Sequence, residues 1–357
     1  MKVALIGVGQ AGGKLAEALS RDPLAADSVV SSLAINSARA DLSSIGLDTL
    51  LVGAERVNGH GVGGDNDLGA TVMRDDTNEV IDAVSGRVGS DCEAIIITAG
   101  LGGGTGSGGA PVLAHELKRV YDVPVYVLGV LPGRDEGALY QRNAGRSLKT
   151  LAREADATIL VDNDAWRQAG ESMHEGYAAV NEKIAQRVGL LLAAGEFDPA
   201  NVAAESVVDS SEIINTLREG SLAAIGYASA ESSPDADANL NTITSVVRNA
   251  LLTGTSLPDA TTAESGLLIV AGRADRINRK GVESAQTWLE DELGSMQVRG
   301  GDYPLDSERL AGLVLLGGVE RSERVQAFLD QASEASVAEE TPDATESLVN
   351  DDLDDLF

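Results

Sequence analysis

Glycine carries most of the chemistry legible in this chain. The run Thr98-Ala99-Gly100-Leu101-Gly102-Gly103-Gly104-Thr105-Gly106-Ser107-Gly108 holds six glycines between positions 100 and 108. With nearly every Cβ gone, backbone N–H groups can approach a ligand closely and positive φ is open. Thr105 and Ser107 add hydroxyl donors. Ala94-Ile95-Ile96-Ile97 precedes the run as a buried strand, and Ala110-Pro111-Val112-Leu113-Ala114-His115-Glu116-Leu117 follows it as a helix. Strand, glycine loop and helix start together bind phosphate, because unpaired amides point outward and the helix dipole favours negative charge. A flexible linker would lack those flanks, and no G-x-x-x-x-G-K-[ST] is present to suggest a P-loop. Two further glycine segments stand nearby: Gly7-Val8-Gly9-Gln10-Ala11-Gly12-Gly13 and Gly61-Val62-Gly63-Gly64-Asp65-Asn66-Asp67. The first fits G-x-G-x-x-G, which also suits a dinucleotide-dependent dehydrogenase. That reading needs an acid at the end of the second strand, where Asn36-Ser37 stands and no acid follows until Asp41.

These loops need elements to hold them. Residues 3–6, 32–35, 94–98, 125–130 and 158–161 read as strands, and 14–20, 70–84, 111–121 and 141–154 have helical spacing. The alternation predicts an α/β fold, a parallel sheet with helices on both faces and its functional loops at the carboxyl ends of the strands. Residues 171–194 form one long helix, with Met173, Tyr177, Val180, Ile184, Val188 and Leu190 roughly on one stripe, suited to bridging two domains. Beyond it, 223–230, 266–273, 296–300 and 313–319 read as strands and 241–252 and 280–293 as helices. The expected division is a first domain at 1–170, a connecting helix at 171–194, a second α/β domain at 195–330 and a tail at 331–357. Residues 332–357 carry acids and small residues with no basic residue, a composition expected to be disordered. That tail ends Asp351-Asp352-Leu353-Asp354-Asp355-Leu356-Phe357, either a solubilising segment or a docking peptide for a protein partner.

Composition narrows the function. The 357 residues suggest about two domains, and the 43% hydrophobic content is ample for a core. The net charge of −29, from 56 acids against 27 bases, excludes nucleic acid and anionic lipid as partners, since both need clustered cations. Acids with little lysine suggest a protein from high salt, where a Debye length of about 3 Å screens the self-repulsion. Cys92 is the single cysteine, so no intrachain disulfide forms. No segment reaches about 18 consecutive apolar residues and the N-terminal apolar run is too short for a signal segment, so a cytoplasmic protein with no membrane insertion is expected.

Gly102-Gly103-Gly104-Thr105-Gly106-Ser107-Gly108 resembles the signature loop of the tubulin/FtsZ superfamily, and its flanks, Thr98-Ala99-Gly100-Leu101 and Ala110-Pro111-Val112, resemble the FtsZ side. Gly9-Gln10-Ala11-Gly12 is similar to tubulin's first phosphate loop, Ala34-Ile35-Asn36-Ser37 to the second loop and Gly63-Gly64-Asp65 to the third, which senses the γ-phosphate in the family. The resemblance implies GTP/GDP binding by these loops, with Asp65 either holding Mg²⁺ through water or serving as an ordinary turn residue. Glu136-Gly137 resembles the ribose-contacting pair of FtsZ, although Tyr140 and then Arg142 stand where FtsZ proteins carry one arginine. Asn163 matches a base-contacting asparagine of the family, and asparagine's donor pair and acceptor suit the mixed edge of guanine. Tyr177 and Asn181, one helical turn apart, match the base-stacking and base-reading pair of tubulin.

Val207-Val208-Asp209-Ser210-Ser211-Glu212-Ile213 resembles the family's seventh loop. Read locally, Asp209 and Glu212 form a capping-box-like helix start. In the family such carboxylates project into the next subunit and position the water that attacks the γ-phosphate, which makes Glu212 and then Asp209 the catalytic candidates; Val207 departs from the asparagine of FtsZ. Across residues 1–325 the combination is most similar to the archaeal tubulin-like CetZ group. The resemblance implies a GTPase that assembles head to tail into cytoskeletal protofilaments, is activated by that assembly and acts in cell shape. The alternatives are an FtsZ-like division GTPase and a GTP-binding module that does not polymerise alone.

Overall fold

The structure is a computed structural model that describes residues 1–166, 173–196, 207–258, 260–320 and 322–340. Among the described residues ten strands form one sheet: β1 (Val3–Val8), β2 (Val29–Asn36), β3 (Thr49–Leu51), β4 (Ala94–Gly100), β5 (Val125–Leu131), β6 (Ala157–Asp162), β7 (Leu222–Glu231), β8 (Ala263–Gly272), β9 (Val298–Pro304) and β10 (Arg309–Val319). Their order is β3-β2-β1-β4-β5-β6-β7-β10-β8-β9. Pairing is parallel from β3 through to β7, antiparallel on both sides of β10, and parallel again between β8 and β9.

The helices are α1 (Gly9–Arg21), α2 (Arg39–Leu42), α3 (Ala54–Val57), α4 (Asn66–Asp75), α5 (Thr77–Ser85), α6 (Gly104–Val120), α7 (Ala138–Glu154), α8 (Asn163–Trp166), α9 (Met173–Ala194), α10 (Ser210–Arg218), α11 (Leu240–Leu252), α12 (Arg279–Leu293) and α13 (Glu323–Glu340). They cover both faces of the sheet, which is why β1 and β5 are apolar at every position instead of alternating. Ile95 and Ile97 of β4 join one core, beneath α4 to α7 and α11 to α13, while Ile96 joins the other, beneath α1, α9 and α10.

The expected parallel sheet and every expected strand are present, with three differences in detail. The sheet does not stop between the two expected domains: β6 and β7 pair at Thr158↔Leu222 and Ile159↔Ala223. Residues 70–84 are two helices, not one, and the break falls at Asp76, whose carboxylate accepts from the Gly53 amide at 2.6 Å. Helix α13 continues to Glu340, past the expected start of the tail at 331, because Ala332 is still buried against Gly145 of α7. The start of the connecting helix before Met173, the boundary at 170 and residues 341–357 lie outside the described residues.

Candidate nucleotide site

Both glycine loops turn out to be helix starts. Helix α1 begins at Gly9 and α6 at Gly104, not at 14 and 111 as helical spacing suggested. Neither N-cap, Val8 or Gly103, provides a side-chain hydrogen bond, so the first amides of both helices lack an intrahelical or capping partner. The two ends also meet. Gly9 has φ +76°, and a Cβ there would stand 2.9 Å from the Gly106 nitrogen. A Cβ on Gly103 or Gly63 would meet nothing within 4 Å, so these backbones border open space. Two uncapped helix N-termini side by side, facing a gap, make a cradle for an anion.

Buried polar side chains fix the rim. The hydroxyls of Thr105 and Ser37 share a hydrogen bond of 2.7 Å, tying the signature loop to the end of β2. Ser107 accepts from Asn66 Nδ2 at 2.8 Å and is only 1% exposed, so its hydroxyl serves the loop's architecture. Asp41 accepts from both Gln10 Nε2 and Asn36 Nδ2 at 3.1 Å, aligning the first and second loops. Asn143, on α7 and 1% exposed, donates to the carbonyls of Gly64 at 2.8 Å and Gly102 at 2.9 Å, joining the third loop to the signature loop. Sequence reasoning overlooked Asn143, the hydroxyl contact of Ser37 and the role of Asp41, since each joins loops distant in the chain.

Asp65 is the exposed N-cap of α4, and its Oδ1 accepts from the Leu68 amide at 2.9 Å. Its second oxygen is left to hold a water. Among the described residues no group of three or more His, Cys, Asp or Glu side chains stands together as a metal site. Glu136 Oε1 accepts from the Gly133 amide at 2.7 Å and lies 3.5 Å from Asn163 Nδ2, so the candidate ribose and base residues stand together at the ends of β5 and β6. Helices α1 and α9 each follow a strand of the parallel run and pack side by side, and Gly189 abuts Asp22 just past the end of α1. The end of α9 lies at the amino end of β1, where the Leu192 carbonyl accepts from the Met1 amine, so Tyr177 lies toward the carboxyl ends of the strands. Asn181 lies one turn further along the same helix, half-buried.

The carboxylate pair is elsewhere. Asp209 caps α10, accepting from the Glu212 amide at 3.0 Å and from the Ser211 hydroxyl. The Ser211 hydrogen bond holds Asp209 below the ordinary aspartate value. Burial pushes Glu212 above the ordinary glutamate value, and its Oε2 is enclosed without a hydrogen-bond partner. Ser210, between them, donates to Glu93, which also accepts from the Lys2 amide at 2.8 Å. Glu93 and Lys2 immediately precede β4 and β1, at the amino ends of the strands whose carboxyl ends carry the glycine loops. The six residues of β1 rise about 3.3 Å each, so the carboxylates and the cradle lie roughly 20 Å apart on opposite ends of one subunit.

The tubulin/FtsZ family GTPase domain matches residues 2–171, and the tubulin-like CetZ C-terminal domain matches 170–334. The tubulin-like protein CetZ2 of Haloferax volcanii is 63% identical over 100% of each chain. The solved GTPγS-bound protofilament of CetZ2 from that organism superposes with a TM-score of 0.90 over 96% of this chain and 100% of that one, at the same 63% identity. The GDP-bound monomer of CetZ1, also from Haloferax volcanii, is 45% identical and gives a TM-score of 0.86 over 94% of this chain and 100% of that one. With both domain matches and 63% identity to CetZ2 over the whole chain, the chain belongs to the tubulin/FtsZ family, within its tubulin-like CetZ group.

Proposed function

We propose that this protein is a GTPase that binds GTP in the cradle between α1 and α6 and hydrolyses it between subunits of a head-to-tail protofilament. The observation that carries the reading is the distance between the two halves of the site. Glu212 cannot reach a nucleotide held by its own subunit across roughly 20 Å of sheet. Stacking one subunit's amino-end face on the next subunit's carboxyl-end face brings them together, and a repeated contact of this heterologous kind that does not close makes a filament. The GTPγS-bound protofilament of CetZ2 and the GDP-bound CetZ1 support the same ligand and assembly.

Within that site the amides of Gly9 to Gly12 and of Gly102 to Ser107 hold the phosphates, joined by Asn36 and the Gly63-Gly64-Asp65 loop. Asp65 is suited to hold Mg²⁺ through water, and the ion would offset negative charge on the triphosphate. Glu136 takes the ribose, Asn163 and Asn181 read guanine and Tyr177 stacks on it. Glu212 of the neighbouring subunit orients a water toward the γ-phosphorus and Asp209 supports it; the bond to the bridging oxygen breaks, releasing GDP and phosphate. Among the described residues no helix is long and apolar enough to cross a membrane, and we place the filament in the cytoplasm, in control of cell shape.

The test is GTP turnover per subunit against protein concentration, in molar KCl with Mg²⁺, for wild type and Glu212→Ala. Turnover per subunit should rise with concentration, and the variant should bind GTP yet hydrolyse it slowly. Equal wild-type turnover at every concentration would mean that the monomer is competent alone, and the shared site would be wrong.

A further inference from the structure

We propose that Arg324, on the C-terminal helix α13, is a positioning residue that sets the guanine side of the nucleotide site. This rests on the proposed roles of Glu136 and Asn163. Arg324 is 8% exposed and far in sequence from both loops, yet its guanidinium closes on three of their groups. Nε donates to Asp162 Oδ2 at 3.0 Å, Nη2 donates to the Pro132 carbonyl at 2.7 Å, and Nη2 lies 3.6 Å from Asp164 Oδ2. The cation also stacks 4.4 Å from the centre of the Phe328 ring, one turn along its own helix.

The bonds continue outward. Asp162 Oδ1 accepts from the Asp164 amide at 3.1 Å, and Asp164 Oδ2 accepts from the Arg134 amide at 2.8 Å. Asn163 is therefore stapled on both sides, and the Pro132–Gly133 turn that presents Glu136 is held from the same guanidinium. Only a planar fork of donors satisfies a carboxylate and a carbonyl at once; lysine offers a point charge. A buried ion pair is a weak device for stability, because apolar residues of similar volume often serve as well or better. Its placement here, directly beneath the ribose and base loops, favours a positional role. Helix α13 touches the site by a second route too. Its Phe328 carbonyl lies against Gly145 of α7, where a Cβ would come within 2.1 Å, and Asn143, two residues before, holds Gly64 and Gly102. The position of α13 thus sets the geometry of the loops on both sides of the nucleotide.

The experiment measures equilibrium binding of GTP and ITP, which lacks the exocyclic amine of guanine, alongside thermal melting. The variants are Arg324→Lys and the pair Arg324→Met with Asp162→Asn, which removes the stranded carboxylate. The expected result is near-wild-type melting, GTP binding weakened about tenfold, equivalent to about 1.4 kcal/mol, and a reduced preference for GTP over ITP in both variants. Should the double variant not fold, the lysine variant decides, because its charge still meets Asp162. Wild-type affinity and preference in a folded variant would overturn the positioning role and leave the nucleotide site standing. Failure of the wild-type protein to bind either nucleotide would overturn both.

Discussion

Replacing Gly108 with alanine probes one of the tightest helix crossings beside the nucleotide site. Helices α4 and α6 meet glycine to backbone: a Cβ on Gly108 would stand 2.1 Å from the Asn66 carbonyl oxygen and 2.6 Å from the Ala70 nitrogen, and one on Gly69 would stand 2.2 Å from the Gly104 oxygen. No rotamer relieves a clash of Cβ with backbone, so α4 must retreat from α6 by roughly 1 Å to restore van der Waals separation. Overpacking of this kind costs about 1–3 kcal/mol, and alanine's better helix propensity returns about 1 kcal/mol. The net loss, about 1 kcal/mol, lowers the melting temperature by about 1–2 °C, a small effect. The functional effect should be larger. Helix α4 carries Asp65 at its cap and Asn66, which holds Ser107. A misplacement of about 1 Å at reacting groups can reduce turnover by about 100-fold. Gly108→Ala should therefore melt almost normally while binding GTP poorly and hydrolysing it very slowly, read by thermal melting, nucleotide binding and phosphate release on one preparation. Turnover within twofold of wild type would show that α4 yields without moving the third loop, and the argument from the crossing would be wrong.

On the proposed role, turnover should fall on the acid side at a pH above the ordinary glutamate value of about 4.3, because half-buried Glu212 must lose its proton to orient water and burial opposes that loss. Arg299→Gln should move this limb further upward, since Arg299 favours the ionised form; a limb that stays put in a pH–rate profile removes Glu212 as the titrating group. Asn143→Ala leaves two loop carbonyls without their donor, at a cost of about 1–3 kcal/mol, and should weaken GTP binding more than GDP binding by calorimetry; equal losses would detach the third loop from the γ-phosphate. The melting temperature should rise steeply from dilute buffer to molar KCl as the net charge of −29 is screened, and a flat profile would show that self-repulsion is not what limits stability.

The order of strands and loops was legible because glycine and isoleucine announce themselves locally. The starts of α1 and α6 were not, since glycine is a poor helix former and six glycines read as a loop. Tertiary packing overrides that propensity: Gly12, Gly106 and Gly108 all approach backbone closer than any side chain allows, and the helix is the conformation that fits. The break at Asp76 had a local sign, Asp75-Asp76-Thr77-Asn78, a cluster of helix-capping residue types inside an apolar period. Asn143 and Arg324 had none. A single polar residue in a helical pattern reads as solvent-facing, and only the fold reveals that its partners lie in strand-end loops far along the chain.

If hydrolysis is shared between subunits as proposed, the separation of cradle and carboxylates gives a filament an arithmetic of its own. A stack built on this contact holds one fewer complete site than it has subunits. A pair can hydrolyse only one of its two nucleotides, and long filaments approach one for each subunit, so activity keeps climbing with length after assembly has begun. The ends are chemically unlike: one displays a nucleotide that no neighbour attacks, the other displays carboxylates with nothing to act on. The state of each nucleotide then records where in the stack its subunit stands and how long it has had a neighbour.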